Sequence, residues 1–144
     1  MLQSIEIPCG DPAIFSSSDV IRPHAAPGGL DSPIQEDSRG KIIRIREGGC
    51  VNVLFTKKGC YRSGDVHSNT QFDVIITGSI ELTTLENGKN VTRIIKPNTL
   101  LSIGKNTPHL FKFLEDTLLL EWWDSPFDGW YYLPYRKIID AQSK

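Results

Sequence analysis

Residues 59–78 read GCYRSGDVHSNTQFDVIITG. Gly59 is followed after five residues by Asp65, then Val66 and His67, then after three residues by Gln71 and after six more by Gly78. Side chains alternate across a strand, so Ser63, Asp65 and His67 would share one face, with Gly64 and Val66 on the other. Asp65 and His67 then converge. A carboxylate and an imidazole brought together leave three chemistries open: a metal site, a metal-free acid/base site, or a hydrogen-bonded polar cluster.

From Lys41 onward the chain consists of short β-branched segments separated by turn signals: IIRIRE, CVNVLFTK, QFDVIIT, SIELTTL, NVTRIIK, HLFKF and TLLLEWW. Gly88-Lys89 after Glu86-Asn87 marks a hairpin, and Thr77-Gly78-Ser79 a tight corner. This texture predicts an all-β sandwich or barrel. In HLFKF, alternation puts His109, Phe111 and Phe113 on one face, so His109 points inward and needs a polar partner there. PYRKIIDAQ predicts a short C-terminal helix from about Pro134. Residues 1–40 differ: they hold five of the nine prolines and show no sustained period. They read as an irregular N-terminal arm before a domain spanning 41–144. The arm is expected to wrap that domain or a partner subunit through Leu2, Ile5, Ile7 and Ile14-Phe15.

The 144-residue length fits one domain, and 39% hydrophobic with 23% charged residues is the balance of a soluble globular chain. Lys plus Arg number 16 against 17 Asp plus Glu, so no global field draws the chain to nucleic acid. No apolar run reaches the ~20 residues of a membrane helix. The expected partner is a small molecule, with no nucleic acid and no membrane. The N-terminus, MLQSIEIPCGDP, lacks the basic start and apolar core of a signal peptide, and the expected location is cytoplasmic. Cys9, Cys50 and Cys60 share no metal-ligand spacing and are expected as reduced thiols. His24, in RPHAAPGG, is expected to be solvated.

The tail is rich in aromatics. In TLLLEWW, Leu118, Leu120 and Trp122 share one face and Leu119, Glu121 and Trp123 the other, so one tryptophan lines the interior. Packing is the simplest role for this cluster. A stacking surface for a base or sugar is the functional alternative, with Arg62 or Arg44 near enough to hold a phosphate. The arm and the surplus of aromatics both call for a covering surface, which predicts a homodimer.

The spacing from Gly59 to Gly78 resembles the first motif of the cupin superfamily: glycine, five residues, histidine, one residue, histidine, three or four residues, glutamate, six residues, glycine. Asp65 stands at the first histidine and Gln71 at the glutamate. The second cupin motif, a proline turn followed by histidine, is matched more loosely by Ile103-Gly104-Lys105-Asn106-Thr107-Pro108-His109. The resemblance covers roughly residues 41–124 and implies a cupin-type jelly-roll β-barrel. It makes Asp65, His67, Gln71 and His109 the ligands of one divalent transition metal: iron, manganese, nickel, zinc or copper. The implied function is a small-molecule enzyme, isomerase or dioxygenase, acting on an oxygen-rich substrate. Its catalytic residues would be His67, His109 and Asp65, and its substrate contacts Arg62, Gln71, Phe111 and Trp122.

The order His67, Gln71, ITGSIEL, PHLFKFLEDTLLLEWW and a Ser-Pro-Phe-Asp turn is also similar to small cupins that isomerise nucleotide-linked 4-keto sugars without metal. There His67 or His109 would serve as base and Asp65 would orient its imidazole. A third reading is a non-catalytic cupin that binds a small ligand, because the fold alone selects no chemistry.

Overall fold

The computed structural model describes residues 2–23 and 32–142. In chain order the elements are β1 (Gln3–Ile7), a 3-10 turn (Pro12–Ser16), β2 (Val20–Ile21), β3 (Ile34–Asp37), β4 (Gly40–Ile45), β5 (Val51–Thr56), β6 (Tyr61–His67) and β7 (Gln71–Thr77). They continue with β8 (Ile80–Glu86), β9 (Lys89–Ile95), β10 (Thr99–Ile103), β11 (His109–Phe113), β12 (Thr117–Trp123), β13 (Gly129–Tyr132) and α1 (Leu133–Gln142). The strands form two facing sheets, ordered β1-β10-β7-β12-β5-β4-β3 and β2-β13-β6-β11-β8-β9. All seven segments expected as strands are strands.

The expected turns are also present. Asn87 and Gly88 sit at φ 52° and 76° between β8 and β9, the double positive φ of a tight hairpin. Gly78, at φ 90°, turns the chain from β7 into β8; a side chain there would lie 2.2 Å from Thr117 Oγ1.

The N-terminal forty residues are more regular than expected. β1 adds to the seven-stranded sheet by parallel pairing with β10, from Gln3 opposite Thr99 to Ile7 opposite Ile103. β2 edges the other sheet beside β13. β3 and β4 form a hairpin whose second strand begins at Gly40. Ile5 and Ile7 join the core and Phe15 stacks 4.1 Å from Trp130, while Leu2 stays exposed. The strand character of this segment comes from open sheet edges that complete a ladder, which local periodicity does not record. β10 escaped the sequence reading for the same reason: it is five residues held between β1 and β7. His24 lies outside the described residues.

Between the sheets the interior changes character along the strands. On β7 the inward residues run Ile75, Asp73, Gln71, and on β12, paired beside it, Leu119, Glu121, Trp123. On β11 they run Phe113, Phe111, His109. Each strand is apolar at one end and polar at the other, and the register lines the switches up at one height. Ile75, Phe113, Leu119, Leu101 and Ile80, all at 0% exposure, form the apolar half, and the polar half opens as a cavity.

β6 carries the one irregularity that shapes this cavity. Ser63 and Gly64 have φ of 82° and 67°, and the β6–β11 pairing slips by one residue there: Leu110 faces Ser63 while His109 faces Asp65. This is a β-bulge. Without it, alternation would send Arg62 and Asp65 to opposite faces; with it, both line the cavity. On the outer side the bulge opens a seat for α1, whose Tyr135 and Ile139 pack with Leu110 and Tyr132. Tyr135 also donates a 2.6 Å hydrogen bond to Asn90 Oδ1.

A Cβ on Gly64 would lie 2.9 Å from Ile139 Cδ1 and 3.1 Å from Arg136 Cδ, in a left-handed conformation that side chains resist. Gly64→Val is therefore expected to destabilise the chain by about 2–4 kcal/mol, read from the urea midpoint. An unchanged midpoint would show that the bulge does not hold α1 in place.

Candidate functional site

His109 is 1% exposed and both of its ring nitrogens are engaged. Nδ1 lies 2.9 Å from the Thr107 carbonyl oxygen, which can only accept, so Nδ1 carries a proton. Nε2 lies 3.0 Å from the Gln71 side-chain oxygen. The Gln71 amide nitrogen lies 2.8 Å from Asp73 Oδ2 and 3.1 Å from Glu121 Oε2. Two protonation states complete this chain. With the amide as described, Nε2 must also be protonated and His109 is an imidazolium beside carboxylates. With the amide turned over, neutral Nε2 accepts from Gln71 and the Gln71 oxygen accepts from a protonated carboxyl.

Burial pulls His109 down to about 4, which favours the second state near neutral pH. Asp73, fully buried, is held well above the carboxylate range by burial and then by its neighbour Glu121. Burial raises Glu121 as well, against the pull of Asp73, Arg62, Asn52 and Arg44. Asp73 and Glu121 face each other across β7 and β12, and like charges so placed do not both ionise.

His67 lies behind this chain. Its ring is 5.0 Å from that of His109, 5.1 Å from Phe127 and 5.5 Å from Trp123, so aromatic rings box it in. Burial, then the nearby His109, pushes it well below the usual imidazole range. Its Nδ1 has no hydrogen-bond partner among the described residues. Gly129 passes so close that a Cβ there would lie 2.6 Å from that nitrogen.

In front of the network is a cavity of about 800 Å³. Its wall holds Arg39, Arg44, Arg46, Arg62 and Arg136, with Asp65, Glu121 and Asp124 as its acids and Trp123 and Phe127 as its aromatic side. Arg62 is 5% exposed and its Nε donates to Thr56 Oγ1 at 2.7 Å. Burial, then repulsion from Arg39, lowers its guanidinium to about 10. Arg39 is paired with Asp37 at 2.7 Å, and Arg44 donates to Gln35 Oε1 at 2.9 Å. Asp65 is half-buried, with Ser63 Oγ at 3.5 Å, and burial raises its carboxyl to about 8 despite the opposing pull of Arg136.

The residues singled out by sequence are thus divided between two layers. Asp65, Arg62, Gln71 and Phe111 line the cavity, whereas His67 and His109 are not part of its wall. Trp122 is not either: it stacks on Phe72, 5.7 Å away, on the outer face of the sheet, and Trp123 takes the inner place. The reason is parity, since Leu119 at 0% exposure fixes Glu121 and Trp123 inward. Among the described residues no three His, Cys, Asp or Glu side chains come together so as to hold a metal ion. Asp65, His67 and His109 are therefore not a ligand trio, and Gln71 has both ends of its amide committed to His109 and the carboxyl pair. The sequence reading left Asp73 and Glu121 without a role, although both stand at inward positions of strands whose other inward residues include Ile75 and Leu119. A carboxylate at such a position was the available signal.

No family model matches the chain, and no curated protein matches it. Solved structures do. Over 78% of this chain and 34% of its own length, a mutant of oxalate decarboxylase from Bacillus subtilis superposes with a TM-score of 0.62 at 18% identity. The capsular polysaccharide assembling protein CapF from Staphylococcus aureus gives 0.60 at 16% identity, over 85% of this chain and 34% of that one. An oxalate decarboxylase from Lactobacillus farciminis, solved as a formate complex, gives 0.56 at 18% identity over 71% and 31%. The chain spans about a third of the length of these proteins, and identities this low speak for the fold alone. With two facing sheets, the two-motif order of His67 and His109, and these neighbours, the chain has the cupin fold.

Proposed function

We propose that the chain is a small-molecule isomerase that binds an anionic, oxygen-rich substrate and moves protons without a metal, with Asp65 as the acid/base group. The observation that carries this reading is the cavity wall, where five arginines meet a half-buried carboxyl. Arginine forks suit phosphate or carboxylate oxygens, and a desolvated wall strengthens each such contact. Asp65, raised to about 8, holds a proton at neutral pH and can return it, which is the poise an acid/base group needs. His109 acts behind the wall as a positioning residue, through its bond to Gln71, which is part of the wall, since neither histidine reaches the cavity. A nucleotide-linked sugar fits best, because Trp123 and Phe127, 5.1 Å apart and edge to face, offer a base an apolar side opposite the arginines.

Binding is tested by saturation-transfer NMR against dTDP- and UDP-linked sugars and sugar phosphates. We expect transfer to at least one, an affinity loss of about tenfold or more in Arg62→Ala, and turnover that chelators leave unchanged. No transfer to any of them, or turnover that a chelator abolishes and a metal restores, would sink the proposal.

Asp65 also predicts a pH dependence. Turnover that uses its protonated form should fall as pH rises through about 8, and Asp65→Asn should abolish it. The raised value lowers stability as well: below the unfolded pKa near 4 the fold bears no penalty, and the penalty grows until pH passes the folded value. Asp65→Asn should therefore raise the melting temperature by roughly 3–5 °C at pH 8 and leave it unchanged at pH 4. Equal shifts at both values would mean that Asp65 titrates normally.

A further inference from the structure

The chemistry proposed for the cavity uses one of its carboxyls, Asp65, and leaves another without a task. Glu121 lines the same cavity from β12 of the seven-stranded sheet, whereas Asp65 stands on β6 of the six-stranded one. The two sheets face each other, so a molecule bound between them meets Asp65 on one side and Glu121 on the other. The carboxyls are near enough for one charge to act on the other: burial raises Asp65 first, Arg136 pulls against it, and Glu121 raises it further.

Glu121 has different surroundings from Asp65. Its ladder partner on β5 is Asn52, whose Oδ1 accepts from Arg46 at 3.4 Å, leaving the Asn52 amide nitrogen to serve Glu121. Gln71 Nε2 lies 3.1 Å from Glu121 Oε2. Arg62 and Arg44, from the same wall, set their positive charge against its burial. Asp73, opposite it on β7, is fully buried and lies behind the wall. A proton shared by this pair therefore belongs on Asp73, and Glu121 is the member that presents a negative charge to the cavity. Two carboxyls so differently placed, one holding a proton and one ionised, divide into an acid and a base.

We propose that Glu121 is a catalytic residue of the cavity: the base that removes a proton from a carbon beside a carbonyl of the bound substrate, which Asp65 on the opposite wall then replaces. This rests on the reading of the cavity as an acid/base site and adds its second member. The C–H bond breaks toward Glu121, whose oxygen gains the proton, and the electron pair moves into the neighbouring carbonyl to form an enolate. Arg62, 5% exposed and on the wall beside Glu121, supplies the positive charge that an enolate oxygen needs. Asp65 then gives its own proton to the enolate. Substrate and product have the same composition; Glu121 ends protonated and Asp65 ionised, and water resets both once the product leaves.

The test measures turnover and solvent-deuterium exchange with each dTDP- or UDP-linked sugar and sugar phosphate that binds the parent chain. Glu121→Gln keeps the shape of the side chain and can still accept from Gln71, so affinity by saturation transfer should stay within about threefold while kcat falls about 1000-fold. Formate, a carboxylate small enough for the space left by Glu121→Ala, should restore part of the turnover in that variant. In D2O, Asp65→Asn should still exchange the substrate's C–H proton, because Glu121 can take it and return a deuteron, and Glu121→Gln should not. An unchanged kcat in Glu121→Gln, or exchange that survives this substitution, would overturn the role of Glu121 and leave Asp65 in place. A loss of affinity in place of kcat, without rescue by formate, would also overturn it and make Glu121 a positioning residue. A parent chain that turns over none of these compounds would overturn the acid/base reading and the role of Glu121 together.

Discussion

Everything at the centre of this protein follows from placing polar side chains where a sandwich must have an interior. Gln71, Asp73, Glu121 and His109 point between two sheets, and a buried polar group without a partner costs a few kcal/mol. The four answer that constraint by bonding to one another: imidazole to amide, amide to both carboxyls. A glutamine is well suited to the middle of such a chain, since its two ends differ and the side chain can turn over. Whichever end faces His109, the other end meets Asp73 and Glu121, and the proton count adjusts.

The cavity depends on that network in a direct way. Glu121 belongs to both: it bonds to Gln71 behind and lines the cavity in front, so the charge carried inside sets the charge presented to a ligand. The five arginines see a carboxyl pair that shares protons rather than two fixed anions. They are therefore less neutralised than a count of acids and bases on the wall would suggest. Desolvation of Arg62 has the same consequence, because a guanidinium deprived of water gains more from the next oxygen it meets.

Burying a polar network and leaving an apolar outer face are two halves of one distribution. β5 and β12 carry Asn52 and Glu121 toward the interior while Val53, Phe55, Leu118 and Leu120 face away from it. Both strands are thus apolar on their outer side and mixed on their inner side, where Leu54 and Leu119 join the core and Asn52 and Glu121 the polar half.

Much of this was legible in the residues. Short β-branched runs and Asn87-Gly88 determine an all-β sandwich or barrel, because turn chemistry and period-two patterning act over a few residues and need no partner to be read, while the jelly roll came from the resemblance of the Gly59-to-Gly78 spacing to the cupin motif. The inward direction of His109, Phe111 and Phe113 was likewise readable. The N-terminal strands were not, since β1 and β3 are strands only because open sheet edges accept them. Nor was the placement of Arg62 and Asp65 on one wall: alternation by itself separates them, and the bulge at Ser63-Gly64 that unites them exists only where β6 meets β11 and α1. The four residues that the cupin spacing groups together, Asp65, His67, Gln71 and His109, are near in the fold but differently employed. Spacing fixes which strand and which face a side chain occupies, whereas which atom it bonds depends on neighbours such as Asp73, two residues along the same strand, and Glu121, brought in by pairing with a strand fifty residues away.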